Sequence, residues 1–175
     1  MNTATTEELG RKMAELLANE VREIHQGNRC DWLKDAVIDA GEHRVGLEFA
    51  ILSMFVTSQA LRNGFANQEK ASEILNHFQV ASRRCLVEGN LIDEDVDFAS
   101  IVRERYEEYY QASQGRCEPL MKLVELFFVH LGAMTMDAAN WTAHYIYLSH
   151  TYLADLKLAK HVETHVSESA ISRPP

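Results

Sequence analysis

The sequence predicts an all-α fold: a single-domain helical bundle of about six to seven helices over residues 1–165, with the Val45–Leu61 helix central and buried. Three observations predict it. Apolar residues recur at helical spacing along most of the chain. Gly27, Gly41, Gly64, Gly89 and Gly115 cut that pattern into helix-length segments, and each is followed within a few residues by a helix-start signal. No run alternates apolar and polar residues with the period of two that a strand requires. The 46% hydrophobic content over 175 residues is enough for a chain to bury a core without disulfides or metal.

The elements follow in order. Thr5 with Glu8 forms a capping-box pattern. The helix it opens places Leu9, Met13, Leu16, Leu17, Val21 and Ile24 on one stripe. Asp31 can cap a short second helix to about Ala40. The third, Glu42 to Asn63, holds Val45–Leu61 with Glu48 as its only charge. A helix apolar nearly all round belongs in the centre of a bundle. Asn67 can cap a fourth, with Ile74, Leu75, Phe78, Ala81, Cys85 and Leu86 inward. Asp93 or Asp95 begins a fifth, reaching Ser113 with Phe98, Val102, Tyr106 and Tyr109 inward.

Pro119 suits a first helical position, because its missing N–H has no intrahelical partner there. It opens a sixth helix through Leu131. A seventh carries Trp141, Tyr145, Leu148, Tyr152 and Leu156, and the break between the two is expected near Thr135–Asn140. Residues 166–175 lack any periodic pattern and are expected to form a disordered tail.

Composition removes several function classes. Lys and Arg total 17 against 26 Asp and Glu, and no basic run exceeds two residues, so the basic face of a nucleic-acid binder is missing. An anionic membrane surface is disfavoured for the same reason. The three cysteines, Cys30, Cys85 and Cys117, are widely spaced without a CxxC pair, which fits reduced thiols in a cytoplasmic protein. The first ten residues do not resemble a signal peptide.

One stretch departs from the charged character of the rest. Phe127 to Ala154 carries a single formal charge, Asp137, with His130, His144 and His150. Its polar interruptions argue against a membrane span. On one unbroken helix His130, Met134, Asp137, Trp141 and His144 would share a stripe. Two turns of helix separate His130 from Asp137, about 10.5 Å, so this row cannot gather its histidines on one metal. A break at Asp137 would dissolve it, leaving a helix cap and hydrogen-bonded histidines.

Other constellations fall short of their chemistry. Glu73 with His77 and His161 with His165 are i, i+4 pairs, and two ligands do not make a metal site. The chain has no Glu-x-x-His and no His-Glu-x-x-His. Asp93, Asp95, Asp97 and Glu104 match the spacing of a calcium loop, but Phe98 stands where the sharp turn needs glycine. Arg103 and Glu107 are spaced for an ion pair in the weaker orientation. No nucleophile elbow and no glycine-rich phosphate loop is present, and no cofactor is expected.

The sequence therefore points first to a non-enzymatic, homo-oligomeric helical protein acting through protein–protein contact. The reason is two helices with more apolar surface than a compact monomer easily covers. The alternative is a small-molecule pocket, or less readily an enzyme site, around His130, Asp137, Trp141, His144 and Tyr145, where aromatic and polar groups cluster.

Overall fold

A computed structural model describes residues 5–26, 40–114 and 119–132 of the protein. These residues form α1 (Thr6–His25), α2 (Glu42–Gly64), α3 (Gln68–Glu88), α4 (Phe98–Ser113) and α5 (Pro119–Leu131), with no strand among them. The all-α expectation holds. The expected Asp31–Ala40 helix, the helix carrying Trp141 and Tyr145, and the tail lie outside the described residues. None of the described helices is long and apolar enough to cross a membrane.

The caps are those the side-chain chemistry favours, with one shift. Thr5 accepts from the Glu8 backbone while the Glu8 carboxylate accepts from the Thr5 backbone, closing the capping box. Asn67 caps α3 by accepting from the Lys70 N–H. α4 is capped by Asp97, which accepts from the Ser100 N–H at 3.2 Å, and not by Asp93 or Asp95. Asp93 is engaged elsewhere, 2.8 Å from the His43 ring.

α3 stops through a residue the glycine pattern does not single out. Gly89 keeps a right-handed φ, and Asn90 turns left-handed at φ 54°. The Leu91 N–H then reaches the Leu86 carbonyl and the Asn90 N–H reaches that of Val87, the Schellman arrangement. α5 ends at Leu131, where Gly132 takes φ 77°, earlier than the expected break near Thr135–Asn140. The single stripe from His130 to His144 therefore has no unbroken helix to lie on.

Every other described helix packs on α2, whose residues from Val45 to Ser58 are buried except Leu47. α1 and α3 share the most extensive interface. Gly10, Ala14 and Ala18 of α1 are buried there with Ala71, Ala81 and Ser82 of α3. A Cβ on Gly10 would come within 2.6 Å of the His77 Cβ and 2.7 Å of the Phe78 backbone nitrogen, so the two backbones touch at a point only glycine allows. Small residues thereby join Leu17, Val21 and Ile24 in the buried stripe of α1. Leu16, expected inward, is 60% exposed.

Candidate functional site

α2, α4 and α5 meet around buried charge. Glu48, the single charge of the apolar helix, is almost wholly buried. Arg105 of α4 forks onto it, Nε lying 3.2 Å from Oε2 and Nη2 3.2 Å from Oε1. Burial alone would lower the Arg105 pKa, but the hydrogen bonds and charge of Glu48, with Glu108 and Glu104 behind it, raise it above its ordinary value. A two-point guanidinium–carboxylate fork fixes how α4 is rotated against α2.

His130 is the one sequence-predicted site residue among those described. Its Nε2 lies 2.7 Å from Glu108 Oε2, inside ion-pair range but outside hydrogen-bond alignment, and neither buried atom has a hydrogen-bond partner among the described residues. The His130 backbone carbonyl accepts from Arg44 Nε at 3.1 Å, which ties the start of α2 to the end of α5. The Tyr109 ring meets His130 edge-on. Tyr109 is fully buried, and its hydroxyl has no hydrogen-bond partner among the described residues. Burial first, and then the Glu48 charge, push its pKa far up, against the opposing pull of Arg105. Among the described residues, His130 is thus paired with a glutamate of another helix. Asp137, Trp141, His144 and Tyr145 lie outside the described residues.

The opposite side of α4 lines an open cleft of about 390 Å³ walled by α2, α3 and α4. Phe55 and Leu75 form its buried floor. Phe55 also separates it from the charge cluster, because both Tyr106 and Tyr109 pack on that ring, each 5.4 Å away. The Tyr106 hydroxyl sits 3.4 Å from Ser58 Oγ. Burial drives its pKa to about 12, against hydrogen bonds to Ser58 and Gln79 and the nearby Arg62 charge, so it stays a neutral phenol near pH 7. Gln59 and Arg62 of α2, Asn76 of α3 and Glu107 of α4 complete the polar rim. Among the described residues, no ion pair within 4 Å engages Arg62 or Glu107, so the expected Arg103–Glu107 pair does not form.

Sequence reading missed this cleft. It placed Tyr106 inward correctly, but nothing in the chain's periodicity brings Arg62, Asn76 and Glu107 to one opening. The only local signal was a helix with polar residues crowded around an inward tyrosine.

The acidic run before α4 is spent on structure, with Asp97 as a cap and Asp93 on His43. Among the described residues no group of three or more His, Cys, Asp or Glu side chains is arranged to hold a metal ion. Cys85 is a free, half-buried thiol whose pKa is raised by burial, which disfavours the reactive thiolate. No protein-family model matches the chain, and no curated protein or solved structure matches it.

Proposed function

We propose that this chain is a helical binding protein that takes a small molecule into the cleft between α2, α3 and α4. The observation that carries the proposal is the cleft itself. Its volume, about 390 Å³, falls in the range of small-molecule sites, about 300–1,000 Å³. It combines an apolar floor with side chains from three helices whose polar groups remain available. The helices fix those groups relative to one another, and that preorganisation lowers the cost of ordering them on binding.

A ligand-observed NMR screen of small polar molecules tests this, run on the wild type and on Asn76→Trp, which fills an exposed wall of the cleft. Compounds that bind the wild type and lose binding to Asn76→Trp support the site. Compounds that bind both equally, or no binder at all, refute it.

The homo-oligomer is the second reading. One observation favours it: α5 buries Leu123, Val124, Phe127, Phe128 and Leu131 on one side yet leaves Val129 64% exposed on the other, at the start of the charge-poor stretch. The central helix gives it no further support, since the chain's own helices cover α2. Light scattering at micromolar concentration separates the possibilities. A dimer that Val129→Glu converts to monomer supports this reading, and a wild-type monomer contradicts it.

A further inference from the structure

We infer that the ligand of the cleft is a small zwitterion, a molecule with one ammonium and one oxyanion such as a free α-amino acid. The inference rests on the reading of the cleft as a ligand site and adds the ligand's chemistry. It begins with which groups are already committed. Ser58 Oγ donates its only proton to the Met54 carbonyl at 2.7 Å. The Tyr106 hydroxyl must therefore be the donor toward Ser58. Ser72 Oγ likewise gives its proton to the Gln68 carbonyl at 2.9 Å. The Ser58, Ser72 and Tyr106 hydroxyls are thus engaged within the fold, and the charges of the rim are the strongest groups left for recognition.

That rim holds one cation and one anion on different helices, Arg62 on α2 and Glu107 on α4. Both are exposed, both face the same cleft, and they do not meet within ion-pair distance. A ligand with only a carboxylate or phosphate would satisfy Arg62 while facing the Glu107 carboxylate. A ligand with only an ammonium would meet the reverse problem at Arg62. A zwitterion answers both charges and adds no net charge to the cleft. Arg62 presents a fork that matches an oxyanion in two places, and the Asn76 amide beside it offers donor and acceptor. The apolar part of the ligand then lies over Phe55 and Leu75. The space, about 390 Å³, is ample for one free amino acid.

The test titrates free α-amino acids into the protein, following backbone amide NMR shifts. Each amino acid is paired with its amine analogue lacking the carboxylate and its acid analogue lacking the ammonium. Wild type, Arg62→Ala and Glu107→Ala are compared, with circular dichroism to confirm that each variant is folded. At least one amino acid should bind ten-fold or more tighter than either analogue. Arg62→Ala should level it with its amine analogue, and Glu107→Ala with its acid analogue. An analogue that binds as tightly as its parent, insensitivity to both variants, or no amino-acid binding overturns the zwitterion. The Asn76→Trp screen then shows separately whether the cleft reading stands: cleft-dependent binding of other molecules keeps it, and its absence ends both.

Discussion

The α1–α3 interface and the junction of α2, α4 and α5 are held together by opposite means. At the first, α3 comes against the α1 backbone at Gly10, and small residues, Ala14 and Ala18, are buried along the same helix. At the second, α4 is fastened to α2 by a buried ion pair, and Tyr109, Glu108 and His130 keep buried polar atoms without hydrogen-bond partners among the described residues. The first interface needs no desolvated charge. The polar junction carries a desolvation cost that well-packed apolar residues would avoid. Such costs are expected where side chains must be oriented for a task rather than for stability, and the cleft lies on the next face of the same helix α4.

The difference can be broken most severely at Glu48. Glu48→Ala leaves Arg105 buried without its partner and should lower stability by about 3–5 kcal/mol in urea unfolding. The double change Glu48→Leu with Arg105→Met should recover most of that loss, because it removes both charges together. If the single and double variants are equally unstable, the fork is not what costs stability when broken.

Gly10→Ala probes the other interface. The new Cβ meets backbone, which cannot swing aside, so a loss of about 1–3 kcal/mol is expected despite alanine's better helix propensity. Gly46→Ala is the contrast. Its Cβ would meet the far end of the His25 ring, at 2.5 Å from Nε2, and a side chain can move. Denaturation midpoints should therefore fall further for Gly10→Ala than for Gly46→Ala.

Tyr109→Phe should move stability the other way. Removing a buried hydroxyl that has no hydrogen-bond partner among the described residues takes away a desolvation penalty of about 1 kcal/mol, which corresponds to a melting temperature higher by about 2–4 °C. A lower melting temperature would mean that the hydroxyl is satisfied.

The smallest effect is one of pH. His25 stacks on His43 with ring centroids 5.9 Å apart, and its Nε2 is buried without a hydrogen-bond partner among the described residues. Burial lowers its pKa below 6.5, with the neighbouring Glu42 charge opposing and that of His43 assisting. Above about pH 6.5 the ring is neutral folded or unfolded and contributes nothing to the pH dependence. As pH falls below that value the unfolded chain takes up the proton first, so stability declines with acidification. His25→Gln should flatten the stability profile between about pH 7 and 5.5, and an unchanged slope would remove His25 as its source.

Local chemistry was the legible part of this chain. The Thr5–Glu8 box, the Asn67 cap, Pro119 at the head of α5 and the buried α2 are each decided within a few residues, and the structure has all four. Long-range partners were not legible. Glu48 and Arg105 are 57 residues apart, and Arg105 reads in sequence as one more charge on a solvated face. Leu16 was misplaced because its hydrophobicity outweighed the small residues that let α3 approach. His130 stands out in sequence beside Asp137 on a shared helical stripe. Its neighbour in the structure is Glu108 of α4, a residue 22 positions away in sequence.

The central claim is that the polar side of α4, and not the tight α1–α3 interface, is where this protein meets its ligand. Amide NMR mapping with a mixed library of small polar molecules tests it most directly. Shifts should concentrate at residues 55–62 of α2, 72–79 of α3 and 106–110 of α4, with α1 silent. Shifts confined to α1, or to Val129 and its neighbours as protein concentration rises, would contradict it.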